Sequence, residues 1–274
     1  MILKKSFISS WIFCVLVLST LKAASSDISI RAITNPSADI TLSFVQPGCV
    51  TKVNFKEGQW VKARQVLAQQ DDAVEQIQLA QLKARSENTV QIEASEASLA
   101  QKRVDLKKLE KAAASNAATE LEVEHARLDV KMAELSLQLA RFEHEQAKRK
   151  YNELKVQTEK MSLKSPIDGR IEKIHIEPGE SVNALVDVVR VVQIDPLWID
   201  VPVPLTLANT LRSGKTAQVR FPNPNGVSLE GRIIYVAAVA DAASSTLRVR
   251  IEVPNKINRP AGEHIEVIFP TSQM

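Results

Sequence analysis

The sequence predicts an α+β protein of several modules, in which a long helical segment separates two regions rich in β-strands. Two observations support this class. Glycine and proline, which interrupt helices, are both missing from residues 59–165, whereas they punctuate the chain on either side. The flanking regions are also rich in β-branched residues, which favour strands. The order along the chain is therefore β, then long α, then β.

The first 24 residues are typical of a secretory signal peptide. Lys4 and Lys5 precede an apolar run over residues 7–21, which is shorter than the roughly 20 residues that a membrane span needs. Small residues follow, so cleavage is expected, with an uncleaved anchor as the alternative. Removing Lys4, Lys5 and Lys22 would take the formal net charge from +3 to about zero. A near-neutral mature chain gives no support to nucleic-acid binding.

The helical segment is expected to fold back on itself as an antiparallel hairpin. Residues 112–118 are the only stretch without strong charge or bulk, which places a turn there. Thr119 and Glu122 match a capping box at the start of the second helix, and Asp72 with Glu75 offers a similar start to the first. Each arm would extend roughly 60 Å at 1.5 Å per residue. A compact bundle with more turns is the alternative.

The second helix of this hairpin carries a heptad pattern that predicts coiled-coil packing. Large apolar residues form its stripe, at Leu121, Leu128, Leu135 and Phe142 with Met132 and Leu139 between them. A row of alanines at positions 126, 133, 140 and 147 lies beside the stripe and would let another helix approach closely. In the first helix a weaker seam is expected at Ile92, Leu99, Leu106 and Leu109. Toward the N-terminus Gln78, Gln81 and Arg85 interrupt it, which favours packing against neighbouring hairpins there.

The two segments that flank the hairpin are copies of each other. Residues 48–61 match residues 169–182 in their glycine, aliphatic and lysine positions, at a constant offset of 121 residues. Each copy has a glycine turn, an alternating strand, a second glycine turn and another strand. Two such halves predict one small β-sandwich.

A sandwich of two such halves resembles the lipoyl and biotinyl carrier domains, in which a tight turn between the halves bears the modified lysine. Here the hairpin stands in place of that turn, so the carrier chemistry is missing. A split lipoyl-like domain with an inserted hairpin resembles the membrane fusion proteins (HlyD-like), the periplasmic adaptors of RND-type and ABC-type exporters. Residues 229–234 resemble a β-barrel strand of that family, residues 241–250 its D-x-x-T-R-T-x-x-V-R crossing, and residues 260–263 its L-R-P-G-M turn.

The resemblance implies an elongated, multidomain α+β architecture. Its parts are a signal peptide (1–24), a lipoyl-like or barrel-sandwich hybrid domain (40–71 plus 161–195), a helical hairpin (72–160) and an adaptor β-barrel (27–39 plus 196–270). Together the resemblance spans nearly all of the chain that follows the signal peptide.

The function implied by the resemblance is a non-catalytic periplasmic adaptor, associated with the inner membrane, for the export of small molecules. It would link an inner-membrane transporter to an outer-membrane channel, and copies would associate into a hexameric ring. The short, signal-bearing N-terminus favours an RND-type transporter. The alternatives are an ABC-type exporter, an envelope scaffold without a transporter, and a carrier subunit, although the last lacks its lysine.

The hairpin tip offers candidate partner-binding residues. Family members that dock on TolC-type outer-membrane channels carry an Arg-x3-Leu-x6-Ser pattern at this tip. The corresponding positions here are Lys108, Ala112 and Thr119. Lysine keeps the charge without the planar fork of arginine, and alanine loses most of the apolar contact. The alternative is that Lys108 is a solvated helix residue and Thr119 only a cap.

The sequence offers no metal, cofactor or catalytic site. The histidines, at positions 125, 144, 175 and 264, have no spacing suited to zinc, and the methionines form no cluster for copper(I). His125 is expected on the interhelical seam. Neither a nucleophile motif nor a phosphate loop occurs. Cys49 is expected to be a buried strand residue, with a reactive thiol as the alternative.

Overall fold

The structure of the chain is a computed structural model, and it describes residues 28–222 and 226–269. The predicted signal peptide lies outside the described residues. Within them, strands precede and follow a long helical segment, as predicted. The chain divides into two compact units, one of residues 39–192 and one of the described residues up to Ala38 with those from Gln193 onward. No helix of the described residues is long and apolar enough to cross a membrane.

The unit of residues 39–192 contains the repeated halves. The strands of the first half are β2 (Gly48–Val53), β3 (Trp60–Val61) and β4 (Val66–Gln70). Those of the second half are β6 (Gly169–Ile174), β7 (Ser181–Val182) and the first part of β8 (Asp187–Pro204). Each strand of the second half begins 121 residues after its counterpart. The unit also contains β5 (Ser162–Lys164) and the end of β1 (Ile28–Ser43).

The two halves interlock through their short strands. β2 of the first half pairs antiparallel with β7 of the second, and β3 pairs with β6. The Gly179 N–H donates to the Val50 carbonyl at 2.7 Å, and the Gly58 N–H donates to the Ile171 carbonyl at 2.8 Å. Both glycines have a left-handed backbone, with φ of +96° and +84°, which other residues adopt only with strain. Each half therefore completes the sheet of the other.

Both halves contribute equivalent residues to one buried core. The pairs related by the offset of 121 include Val50 with Ile171, Val61 with Val182, and Leu67 with Val188. All six are almost fully buried. Because burial of apolar surface is the main favourable term in folding, neither half has a complete core alone.

The other unit is a β-barrel. It is formed by the first part of β1, the last part of β8, α4 (Leu205–Ala208), β9 (Thr216–Arg220), β10 (Ser228–Val236), β11 (Thr246–Val253) and β12 (His264–Phe269). Its strands pair in the order β1, β12, β9, β10, β11, β8, and β1 also pairs with β8. Along β8 the side chains of Ile199, Val201 and Val203 are fully buried, which is the two-residue period of a strand with one face inward.

The glycine of the barrel motif at residues 229–234 is explained by packing. A Cβ atom on Gly231 would lie 2.5 Å from Cγ2 of Ile251 on the neighbouring strand. Only a residue without a side chain fits there. The sandwich, the inserted hairpin and the barrel confirm the predicted fold class.

Candidate functional site

The helical hairpin consists of three helices, α1 (Ala73–Glu87), α2 (Val90–Ala114) and α3 (Glu120–Glu159). The expected single helix in the first arm is wrong, because the backbone becomes extended at Asn88. The Asn88 side-chain oxygen accepts from the Val90 N–H at 3.0 Å, and the Thr89 hydroxyl donates to the Glu93 carboxylate at 2.7 Å. Such side-chain bonds give the backbone an alternative to a continuous helix.

The contact between the two arms, here called the inner seam, follows spacings of three and four residues. On α3 its least exposed positions are Val123, Ala126, Val130, Ala133, Leu137, Ala140, His144, Ala147, Tyr151, Leu154 and Thr158. On the first arm they are Glu75, Leu79, Leu82 and Ser86 of α1, then Ile92, Ser95, Leu99, Lys102, Leu106 and Leu109 of α2. This is the a/d pattern of a coiled coil.

The break between α1 and α2 coincides with a shift of one residue in the heptad register of the inner seam. Ser86 and Ile92 are six residues apart, whereas a continuous heptad would separate equivalent positions by seven. Extending the α2 seam backward by heptads therefore leads to exposed Gln78, Gln81 and Arg85 rather than to the residues that α1 actually packs inward. The break therefore explains the polar interruption, and packing of these residues against neighbouring hairpins stays a prediction.

The predicted seam of large apolar residues is wrong. Leu128, Leu135 and Phe142 leave 61%, 53% and 55% of their surface exposed, whereas Ala133 and Ala140 leave only 8% and 4%. The alanine row is the contact itself, because small side chains let the arms approach. The large residues lie two positions further on, about 200° around the helix, and so face outward. We call Leu121, Leu128, Met132, Leu135, Leu139 and Phe142 the outer stripe.

The expectation that His125 lies on the seam is also wrong. His125 is exposed, and His144 occupies the seam instead. His125 lines a groove of about 360 Å³ near the tip, which is lined by Lys102, Asp105, Leu109, Leu121, Glu122, Ala126 and Asp129. Sequence reasoning missed this groove, since its walls come from both arms.

Ion pairs across the hairpin show which residues of the two arms lie at the same distance from the tip. Lys102 contacts Asp129 at 2.6 Å, and Arg141 contacts Glu96 at 2.7 Å. The hydrogen bond from Lys102 to Asp129 raises the pKa of the lysine. Exposed pairs of this kind contribute little stability, but they define which residues of the two arms lie level.

The turn at the hairpin tip is built around the carbonyl of Ala112. This oxygen accepts from the Ser115 hydroxyl at 2.9 Å and from the Ala117 N–H at 2.8 Å. Asn116 between them has a left-handed backbone, with φ of +56°, a conformation that asparagine tolerates better than most residues. The chain thus leaves α2 in a compact turn with its last carbonyls satisfied.

The predicted capping box at the start of α3 is confirmed. The Glu122 N–H donates to the Thr119 hydroxyl at 3.3 Å, and the Thr119 N–H donates to the Glu122 carboxylate at 2.7 Å. The bonds from Thr119 lower the pKa of the Glu122 carboxyl. The predicted start of α1 is confirmed, with Asp72 at the N-cap position, but the Asp72 side chain makes no capping bond. Asp71 accepts from the Ala73 N–H instead, at 3.2 Å.

The three predicted partner-binding residues have different surroundings. Lys108 is exposed, and within the described chain it makes no ion pair. Ala112, one helical turn further on, is half-buried beneath the turn. Thr119 uses both its hydroxyl and its N–H in the capping box. The turn itself therefore accounts for Ala112 and Thr119, and partner binding by the three residues stays a prediction.

Elsewhere the residues singled out for chemistry are dispersed. Cys49 lies in β2 as expected but is exposed rather than buried, because Val50 takes the inward position and side chains alternate along a strand. Within residues 28–222 and 226–269, no group of three or more His, Cys, Asp and Glu side chains is placed to hold a metal ion.

A carrier-type sandwich split by a helical hairpin and joined to a β-barrel defines the class of membrane fusion proteins. The chain belongs to the family described as "RND MFP, barrel-sandwich hybrid domain", which matches residues 42–194. A second family, described as "CusB-like, beta-barrel domain", matches residues 196–261.

Two curated relatives are similar to this chain. It is 27% identical over 120 residues to the "Putative membrane fusion protein SilB" of Salmonella typhimurium, which covers 44% of this chain and 28% of SilB. It is 29% identical over 101 residues to the "Cation efflux system protein CusB" of Escherichia coli strain K12, which covers 37% of this chain and 25% of CusB. The similarity thus spans about a quarter of the length of each relative.

Among solved structures, the fold is similar to that of MacA from Actinobacillus actinomycetemcomitans. The TM-score is 0.72 at 18% sequence identity, over 88% of this chain and 78% of that one. At this identity the likeness concerns the fold alone.

Proposed function

We propose that this chain is a periplasmic adaptor, associated with the inner membrane, that links an RND-type inner-membrane transporter to an outer-membrane channel for the export of small molecules. The observation that carries the proposal is the place of the hairpin. The chain leaves the sandwich after Gln70 and returns at Ser162, where a carrier domain would present its modified lysine. A binding arm therefore replaces the modification site, and membership of the RND membrane fusion family supports an adaptor role.

In this proposal the protein acts through contacts rather than catalysis. The barrel would rest on the transporter, and the hairpins of several copies in a hexameric ring would line a conduit. Individually modest contacts become strong when a ring presents many of them together. The contribution of each copy is then mainly positional, and no residue needs to react.

The hairpin tip would contact the outer-membrane channel. Lys108 would supply an exposed positive charge for a carboxylate or a carbonyl of the channel, while Ala112 and Thr119 would shape the turn that presents it. Support comes from the exposure of Lys108 and from the hydrogen bonds that hold the turn. A charge reversal at Lys108 should therefore affect the channel contact without affecting the transporter contact.

The test is a cross-linked purification of the C-terminally tagged full chain from envelope fractions, followed by mass spectrometry. An RND-type transporter and an outer-membrane channel are the expected partners. An ABC-type transporter in their place would overturn the RND assignment. Recovery of no transporter, under conditions that capture a known adaptor complex, would overturn the adaptor function and leave an envelope scaffold.

The same purification tests the tip. The Lys108→Glu variant should lose at least about tenfold of the co-purifying channel, since like charges meet where opposite charges attracted, and should retain the transporter. Lys107→Glu is the matched control, because it makes the same charge change about 100° around α2. Equal channel recovery from the Lys108→Glu variant and the parent protein would contradict a role for Lys108.

A further inference from the structure

The outer stripe of α3 is an apolar surface that the described chain leaves uncovered. From Leu121 to Phe142 it extends about 30 Å along the helix at 1.5 Å per residue, and each of its six residues is more than half exposed. Apart from Leu121, which also lines the groove near the tip, its residues lie on the side of α3 that is turned away from the inner seam. Contiguous apolar surface of this extent on a soluble protein marks an interaction site.

The opposite edge of the hairpin, on α2, is also apolar but is built from smaller residues. Its outward positions are Val90, Ala94, Ala97 and Val104, all of which are exposed. They repeat at seven-residue intervals, as the outer stripe does, with Ala94 on the adjacent row. One hairpin therefore has two apolar edges, one of large side chains and one of small ones.

The two edges match in height. In the ion pairs Lys102–Asp129 and Glu96–Arg141 the two residue numbers add up to 231 and 237. A residue of α2 and a residue of α3 therefore lie at about the same distance from the tip, or level, when their numbers add up to a value in this range. By this relation Leu128 lies level with Val104, Leu135 with Ala97, and Phe142 with Val90. A second hairpin placed parallel and level with the first would therefore bring a large side chain against a small one at three successive heptads.

The charges near the tip favour the same arrangement. The first turn of α3 carries Glu120, and the last turn of α2 carries Lys111, which lies at about the same distance from the tip. In a parallel pair these acidic and basic groups face each other, which is the complementarity that selects one orientation of partners. Below Phe142 the match ends, because Arg149 continues the row of the outer stripe at the level of Lys83 and Arg85 on α1.

We propose that the outer stripe packs against the α2 edge of a second copy of this chain, with the two hairpins parallel and level. The inference deepens the proposed function, on which it rests for the idea of a ring, by naming the two faces that meet. Each copy uses its α3 edge for one neighbour and its α2 edge for the other. Such a head-to-tail contact forms a closed ring when the rotations between successive copies add up to a full turn. A pairing of stripe with stripe would leave the α2 edge uncovered.

Site-specific cross-linking of the full chain tests the proposal. In a background with Cys14→Ala and Cys49→Ala, the double variant Ala97→Cys/Leu135→Cys is treated in envelope fractions with a short thiol-reactive bismaleimide. The expected product is a ladder of dimers, trimers and larger species, because each copy carries both reactive faces. Each single variant should yield no ladder.

A matched control uses the residue next to Leu135. The double variant Ala97→Cys/Ser136→Cys places the second thiol about 100° around α3, and its ladder should be at least tenfold weaker. Ladders of equal strength would overturn the assigned face. Cross-linked dimers from Leu135→Cys alone would instead show a stripe-to-stripe pair, and an absence of cross-linking in every variant would overturn the contact itself.

A second set of variants removes the apolar contact while the fold is retained. In the double variant Val104→Cys/Leu128→Cys, adding Leu135→Glu and Phe142→Glu should reduce the ladder at least tenfold, since two charges would be buried without partners. Both replaced side chains are more than half exposed, so the circular dichroism spectrum and the melting temperature should stay those of the parent. An unchanged ladder would contradict the proposal.

The outcome is separable from that of the proposed function. A ladder without a co-purifying transporter supports the contact and overturns the adaptor role. A co-purifying transporter without a ladder supports the adaptor role and overturns the contact.

Discussion

Thr119 and Glu122 hold the start of α3 through two reciprocal hydrogen bonds, one from each backbone N–H to the side chain of the other residue. Two of the donors that a helix start leaves without partners are thereby satisfied. These bonds hold the first turn of α3 next to the buried side chains of Val123 and Ala126. The position of Thr119 in the sequence therefore reflects the needs of the turn, whatever partner the tip meets.

Thr119→Ala should loosen the first turn of α3. Loss of a cap of this kind costs about 1 kcal/mol, which corresponds to roughly fivefold faster hydrogen exchange at the amides of Glu122 and Val123. Hydrogen-exchange mass spectrometry of the full chain measures this change. Thr119→Ser, which keeps the hydroxyl, is the control and should exchange as the parent does. Equal exchange in all three proteins would contradict the role of the cap.

Asp200 and Arg250 form a paired contact between adjacent strands of the barrel. Two nitrogens of the guanidinium each donate to a carboxylate oxygen at 2.8 Å, and the guanidinium lies 4.5 Å from the centre of the Trp198 ring. The hydrogen bonds from Arg250 lower the pKa of the Asp200 carboxyl. The charged form of Asp200 is therefore favoured by folding.

Asp200→Asn should destabilise the barrel by about 1 kcal/mol at pH 7. The folded pKa lies below the unfolded value of about 3.9, so the ion pair contributes fully above about pH 4 and loses its contribution as pH falls through the folded pKa. The difference between parent and variant should therefore shrink as the pH falls below about 4. Urea unfolding followed by Trp198 fluorescence, with Trp11→Phe and Trp60→Phe in both proteins, checks this. A difference that is independent of pH would contradict it.

The heptad register of the inner seam explains where α1 ends and α2 begins. α1 and α2 both pack against α3, but the six residues between Ser86 and Ile92 would turn one of them away from α3 if the helix were continuous. The break at Asn88 resolves this conflict. Residues with side chains that hydrogen-bond to nearby backbone groups, here Asn88 and Thr89, make the break inexpensive.

Inserting one alanine between Asn88 and Thr89 should join α1 and α2 into one helix. The insertion restores a spacing of seven between the positions of Ser86 and Ile92, so both packing faces come into phase. Protection from hydrogen exchange at the former break should rise about fivefold or more, and helical ellipticity should increase. An insertion of two alanines is the control and should not restore the phase. No gain of protection over the parent would show that the break has another cause.

On the scale of the whole molecule, the sandwich is a unit into which the hairpin is inserted. β4 and β5, the strands on either side of the insertion, pair with each other, and Gln69 lies opposite Ser162. The ends of the insertion are therefore close together, as insertions into a folded domain require. The core of the sandwich draws on both halves and not on the hairpin.

Replacing residues 71–160 with a two-residue Asn-Gly turn between Gln70 and Met161, which already pair, should leave the sandwich folded, because that turn type closes a β-hairpin. The shortened chain should keep a β-rich circular dichroism spectrum and cooperative unfolding. Adding Val50→Asp, which puts a charge in the core of the sandwich, should remove the part of the β-type circular dichroism and of the cooperative unfolding that comes from the sandwich. Loss of the signal in the shortened chain without Val50→Asp would show that the hairpin is needed for the fold.

The sequence by itself determined the features that depend on local chemistry or on spacing: the order β, long α, β; the repeat at 121 residues; and the capping box at Thr119. Its assignment of domain bounds and of Lys108, Ala112 and Thr119 to partner binding remains a prediction. Only the tertiary structure decided which heptad row of α3 faces the other arm. Two apolar rows compete on one helix, and the alanine row wins because close approach of the arms needs small side chains. The preference for Ala133 over Leu135 is thus a property of the pair of helices, which no single segment contains.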